Sequence, residues 1–241
     1  MKVYAISDLH LSFKNKVVPG KWQEVEEYKP MNIFGEKWEK HYYRLYKNWL
    51  ETVQAEDLVL LPGDISWAST GEELGPDLDF ISHLPGKKIF VKGNHDYWWQ
   101  GIGQLRTLFP EDSYLIQNDS ISFGKIAIAG SRGWIVPNNI YFTERDEKIY
   151  KRELIRLQLS LDSLDKKAEC RIAMLHYMPV NEEHQHNEII DLLESYKIDI
   201  CIYGHLHGEE AHANRLEGNF WGIDFHLVSA DFLDFTPIRI L

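Results

Sequence analysis

A chain of 241 residues with a formal net charge of -11 is long enough to enclose a substantial core. Its acidity argues against a broad nucleic-acid-binding face, and so against a stable nucleic-acid complex, because such a face needs clustered Lys and Arg. The two cysteines, Cys170 and Cys201, exclude a disulfide framework and a Cys-rich zinc knuckle, and no apolar run is long enough for a signal-peptide core or a membrane span, so a reducing cytoplasmic setting with no membrane partner is expected.

Val3-Tyr4-Ala5-Ile6 reads as a buried strand that runs straight into Ser7-Asp8-Leu9-His10. Residues 11–35 are broken by Pro19, Gly20, Pro30 and Gly35 and carry Trp22, Tyr28 and Phe34. Residues 12–35 are either a core-facing loop or a lid over a site, since long irregular loops are often functional. Trp38, Tyr42, Leu45 and Trp49 then recur at helical spacing. Residues 58–61 form an apolar strand ending in Pro62-Gly63-Asp64, and residues 76–84 read as a short helix. Ile89-Phe90-Val91 is the next strand, followed by Gly93-Asn94-His95-Asp96. Ile102, Leu105, Leu108 and Phe109 mark a further helix.

The texture changes at Ser113. Residues 114–116, 121–123 and 125–129 are short runs broken by Asn118-Asp119 and Gly124, the pattern of an antiparallel meander. It ends in a flexible loop, residues 130–134, that carries Arg132 and Trp134. Thr143 with Asp146 signals a helix start, continued by Tyr150, Leu154, Leu157, Leu161 and Leu164. Residues 171–175 form a strand ending at His176, and Ile189, Ile190, Leu193 and Tyr196 mark a helix. Residues 199–203 form a strand ending in Gly204-His205-Leu206-His207, and residues 225–229 and 238–241 read as closing strands. No repeat or linker interrupts the chain, so one domain over residues 1–241 is expected, with residues 12–35 as its candidate lid.

Five expected strands thus end in Asp8 and His10, in Asp64, in Asn94 and His95, in His176, and in His205 and His207. In a twisted α/β sheet such ends face one crevice. Each of these residues alone would more often be a turn or cap residue, but five strand ends together are hard to reach by accident. Carboxylates, an amide oxygen and imidazoles without thiolate suit Mn, Fe or Zn rather than Ca, and argue against a closed structural zinc site. The donors are too many for one ion. A carboxylate-bridged pair of divalent ions about 3.5–4 Å apart is a common device for displacement at phosphorus.

In this order, Asp8-Leu9-His10, Gly63-Asp64, Gly93-Asn94-His95-Asp96, His176 and Gly204-His205-Leu206-His207 resemble the motifs of the calcineurin-like metallophosphoesterase superfamily. The resemblance implies an α/β fold, a four-layer α/β/β/α sandwich of mixed sheets with the site at the strand carboxyl ends. It implies two divalent transition-metal ions, Mn, Fe or Zn. Asp8, His10, Asp64 and His207 would hold the first, and Asn94, His176 and His205 the second, with Asp64 bridging. His95 would be no ligand but the proton donor to the leaving oxygen, oriented by Asp96. The implied activity is a dinuclear phosphohydrolase that cleaves phosphodiesters or small phosphate esters, nucleotides among them, with a metal-bound hydroxide. A nuclease of the same superfamily and a catalytically inactive metal-binding interaction module are the alternatives.

The chain departs from one branch of that superfamily. Protein Ser/Thr phosphatases have an Arg just beyond the Gly-Asn-His block, where Tyr97, Trp98 and Trp99 stand here, so phosphoprotein substrates are disfavoured. Arg132 is either a replacement phosphate clamp, since guanidinium binds phosphate oxygens bidentately, or a solvated hairpin residue. Trp98, Trp99 and Trp134 are candidates to stack on a base or aromatic leaving group, with packing expected for at least two of them. His41, His83, His184, His186, His212 and His226 have no motif partner and are expected on the surface or in the core.

Overall fold

The computed structural model describes residues 1–138 and 142–241. In chain order its elements are β1 (Val3–Ala5), α1 (His41–Thr52), β2 (Leu58–Pro62), α2 (Gly71–Ser82), β3 (Lys87–Val91), α3 (Ile102–Leu108), β4 (Ser113–Leu115), β5 (Ser120–Phe123), β6 (Ile126–Ser131), α4 (Glu144–Asp162), β7 (Cys170–Leu175), α5 (Glu188–Ser195), β8 (Ile200–Tyr203), α6 (Gly208–Ala213), β9 (Gly218–Phe220), β10 (Ile223–Leu227) and β11 (Ile238–Arg239). One sheet has the order β11-β1-β2-β3-β4 and the other β5-β6-β7-β8-β10-β9. Neighbours pair in parallel except at the edges, where β11, β5 and β9 run antiparallel to β1, β6 and β10.

The strands read as continuous apolar runs because both faces of each sheet are covered. Val59 and Leu61 of β2 pack with Leu45 and Trp49 of α1 in one core. The alternate residues Leu58 and Leu60 point the other way and meet Ile172 and Met174 of β7 between the sheets. Ala173 and Leu175 face a third core with Tyr150 and Leu157 of α4 and Ile190 of α5. Three cores separate four layers, helices outside and two sheets within, as the resemblance implied.

Two local expectations need correction. The run from Ser113 is not a meander. β4 pairs in parallel with β3 in the first sheet, while β5 and β6 form a hairpin in the second. Local pattern cannot show that consecutive strands belong to different sheets. The helix expected over residues 76–84 begins at Gly71. Thr70 caps it by accepting from Glu73 N–H at 3.2 Å, and Ser69 N–H donates to the Glu73 carboxylate at 2.7 Å. Pro76 therefore falls in the second turn instead of opening the helix, which forfeits one helical hydrogen bond.

Residues 12–35 are anchored rather than loose. Met31–Phe34 forms a short 3-10 turn, and Phe13, Val17 and Met31 are buried in the first core. Asp77 of α2 ties this segment down. Its carboxylate accepts from Phe13 N–H at 2.9 Å and from the Ser66 hydroxyl. Burial, only partly offset by those two bonds, pushes Asp77 up to about 7, and nearby Glu27 adds to the push. The unfolded chain lacks this environment and titrates near 3.8. The folded state therefore keeps a proton that the unfolded state releases between about pH 4 and pH 7. Stability from this group is complete below that window and declines as pH rises through it. Asp77→Asn retains an acceptor for Phe13 and removes the titration. Its stability should exceed that of the wild type by a margin that grows from pH 5 to pH 8, on the order of 1–2 kcal/mol at the upper end, and its melting temperature should rise accordingly. Thermal melts at both pH values check this, and a constant margin would rule it out.

Candidate metal centre

The strand ends meet because the two sheets are joined there. Ser7, just past β1, bridges to Ser229, just past β10. Ser7 N–H donates to Val228 O at 2.7 Å, and Ala230 N–H returns a bond to Ser7 O at 3.0 Å. The loops beyond are laced together by Asp8 N–H to Gly63 O, His10 N–H to Asp64 O and Gly204 N–H to His176 O. Glycine permits this closeness at two points. A Cβ on Gly93 would overlap Asp64 Oδ1, and one on Gly204 would overlap Asp8 Oδ2. Asp8, His10, Asp64 and His205 all adopt positive φ, at 58°, 47°, 51° and 71°. That region is uncommon for residues with a Cβ, and such strain gathers at functional sites.

Two tight donor groups result. Asp8, His10 and His207 each bring one ligand atom within 4.8 Å of the others, and so do Asp8, Asp64 and His176. His207 Nε2 lies 3.4 Å from Asp8 Oδ1 and 3.2 Å from His10 Nε2. Asp64 Oδ2 lies 3.5 Å from His176 Nε2 and 3.9 Å from His10 Nε2. Asn94 Oδ1 is 2.7 Å from His176 Nε2. The His205 ring packs against His176 with centroids 5.0 Å apart, and its backbone N–H donates to Asp8. Its nitrogens join neither tight group.

The imidazoles are presented as ligands. The Pro62 carbonyl, 3.0 Å from His176 Nδ1, can only accept. Nδ1 therefore carries the proton, and Nε2 turns its lone pair toward Asn94 Oδ1 and Asp64 Oδ2. Asp231 holds Nδ1 of His207 in the same way at 2.9 Å. Burial keeps His10 and His176 below the usual imidazole range and takes His205 down to about 3, with the charge of His176 adding to the effect there. Burial also pushes Asp64 up to about 8, helped by the neighbouring Asp8 charge. Burial opposes the Asp8 charge as well, but its hydrogen bond with His207 holds it well below the carboxylate range. For His207, hydrogen bonds to Asp231 and Asp8 overcome burial and push it up to about 10. Lone pairs that face one another and buried carboxylates in excess describe a place short of positive charge. A divalent cation fits this nitrogen–oxygen donor set.

Several neighbours of the cluster were not legible beforehand. Trp67 stacks on His10 with centroids 5.0 Å apart and lies against His95 at 4.3 Å. Trp38, expected only as part of a helical stripe, packs edge-on to His10 and His207. Tyr177 covers the His205 ring at 4.0 Å. Asp231 and Tyr177 had a usable signal, since each lies just past the carboxyl end of a strand.

Two expectations change, and the packing expected of at least two of the three candidate tryptophans is met by Trp98 and Trp99. Asp96 does not orient His95. Its carboxylate folds back under the loops and accepts from the N–H groups of Gly93, Asp64, Ile65 and Ser66 at 2.7–3.3 Å. The neighbour of His95 Nδ1 is instead the Tyr97 hydroxyl at 3.3 Å. Arg132 is neither a solvated hairpin residue nor a free clamp. Its guanidinium pairs with buried Glu153 at 3.0 Å and lies over the Trp134 ring, while its carbonyl accepts from His176 and Tyr177 N–H. Trp98 and Trp99 are buried core residues whose N–H groups donate to Ser66 O and Gln117 Oε1, so they offer no face to a substrate.

A profile of the calcineurin-like phosphoesterases matches residues 1–209, which contain all the motif residues above. The chain belongs to the calcineurin-like phosphoesterase family. Among solved structures, the phosphopantetheinyl hydrolase of Mycobacterium tuberculosis is similar over 100% of this chain and 95% of its own, with 14% identity and a TM-score of 0.54. TT1561 of Thermus thermophilus is similar over 86% and 82%, with 14% identity and a TM-score of 0.50. AQ665 of Aquifex aeolicus aligns over 99% and 95%, with 19% identity and a TM-score of 0.49. No curated protein matches in sequence. At these identities the first two support the fold alone. Among the described residues of this phosphoesterase-family chain, no helix is long and apolar enough to cross a membrane.

The role of Asp231 is open to test. Asp231→Asn should release the His207 tautomer and weaken metal binding by about 10–100-fold. Titration of the apo-protein with Mn²⁺ or Zn²⁺ checks it, and an unchanged affinity would mean that Asp231 does not support a ligand.

Proposed function

We propose that the protein is a dinuclear metal-dependent phosphohydrolase acting on phosphodiesters or small phosphate esters, nucleotides among them. The observation that carries this reading is the pair of donor groups sharing Asp8, with Asp64 Oδ2 set between His10 and His176. In this reading Asp8, His10, Asp64 and His207 would hold one divalent ion, and Asn94, His176 and His205 would hold the second, with Asp64 available to both. When bound, such ions supply Lewis acidity toward phosphoryl oxygens and lower the pKa of water to near neutrality.

The rest of the work falls to the chain itself. His95 stands at the edge of the donor cluster and is the proton donor to the leaving oxygen. Burial, with the charge of His176, holds its ring below the usual imidazole range, and an anionic ester beside it favours the protonated form. Trp67 beneath the ring and Tyr97 at Nδ1 limit its rotation. Residues 12–35 act as an anchored cover over Trp67. Lys29 Nζ lies 5.3 Å from the Trp67 ring, and Trp67 N–H donates to Met31 Sδ at 3.2 Å.

The deciding experiment compares a generic phosphate monoester with a generic diester while scanning Mn²⁺, Fe²⁺, Zn²⁺, Ni²⁺ and Mg²⁺. Hydrolysis that needs metal and stops on chelation is expected. A metal-loaded protein inert toward both esters would leave a metal-binding scaffold in its place. His95→Ala should keep its metals by elemental analysis and lose about 10²–10⁴ in kcat. Turnover at the wild-type rate would remove His95 from this role.

A further inference from the structure

Beside the metal centre lies a cavity of about 370 Å³, within the roughly 300–1,000 Å³ typical of small-molecule sites. It shares a wall with the centre, because His205 and the Tyr177 ring that covers it both line it. Ile135, Val136, Met178 and Val180 supply apolar lining. The polar side chains at its rim are engaged with one another or with the backbone. Asn138 donates to Glu182 Oε1 at 3.2 Å, and Asn181 donates to Pro137 O at 3.2 Å. Among the described lining residues, Glu182 carries the one formal charge, and it is negative. The cavity therefore repels the phosphoryl head and favours whatever apolar group is attached to it.

We propose that this cavity receives the organic group of the substrate, so that the preferred substrates are phosphate esters of an apolar alkyl or aryl alcohol. The proposal rests on the phosphoesterase reading above. A phosphorus atom seated at the donor cluster would place one ester arm beside His205, where Tyr177, Met178 and Val180 remove it from water. Each buried methylene is worth about fourfold in affinity, from roughly 0.8 kcal/mol of transfer free energy.

Methyl-, butyl- and hexylphosphonate share one charged head and resist hydrolysis, so they report binding apart from turnover. Titrated calorimetrically into the metal-loaded protein, they should show Kd falling by about threefold to fourfold per added methylene until the cavity is filled. Ile135→Gln, at the exposed lip, and Met178→Gln should flatten the series while leaving methylphosphonate affinity and metal content unchanged. Equal Kd for methyl- and hexylphosphonate in the wild type would overturn the role of the cavity and leave the phosphoesterase reading standing. Failure of methylphosphonate itself to bind would overturn both.

Discussion

Two buried carboxylates, Asp8 and Asp64, lie side by side where the sheets join, and that juxtaposition governs the surrounding structure. Burying one unpaired charge is costly, and burying two together is more so. The chain answers first with its own N–H groups and hydroxyls. His95 N–H donates to Asp64 Oδ1 at 2.8 Å, while His205 N–H and the Ser7 hydroxyl donate to Asp8. These bonds require tight loops, and the tight loops require positive φ at the acidic residues and glycines opposite them. What the hydrogen bonds leave uncompensated, divalent metal would complete.

A supporting ring holds the candidate ligands in place. Asp96, buried and pushed up to about 7 by burial and the charge of Asp64, binds four backbone N–H groups across two loops. Asp231 steadies His207 and also lies 3.4 Å from His212 Nε2. The Arg132 carbonyl binds the His176 loop, while its guanidinium and that of Arg156 share the buried Glu153 carboxylate. Here a residue type that looks made for phosphate serves packing and charge balance instead.

The centre is flanked by two unlike walls. On one side stand Trp67, His95 and Tyr97 beneath the anchored segment of residues 12–35. On the other stand His205, Tyr177 and the apolar cavity. On the proposed reading, a phosphate ester held between them would meet His95 on one face and a largely apolar surface, with Glu182 at its rim, on the other. Such asymmetry is what a site needs to distinguish the two oxygens bonded to organic groups.

The candidate ligand residues were legible in the sequence because each follows a short apolar run, and the carboxyl ends of parallel strands face one crevice. The four layers were implied by the resemblance those motifs carry, and the structure agrees, since strands apolar on both faces need cover on both. What pairs with what was not legible. Asp96 was assigned to its neighbour His95, yet it bonds a loop about 30 residues away, and Arg132, read as a phosphate clamp or a solvated hairpin residue, pairs with α4. Trp38 read as core because an indole beside the donor cluster and one in a helix stripe have the same local pattern, and no local signal singled out Trp67. The chain's order of residues determined which donors exist and that they converge. Only the tertiary structure decided which atoms touch, because hydrogen bonds and stacking depend on the last few ångströms of packing, which no periodicity encodes.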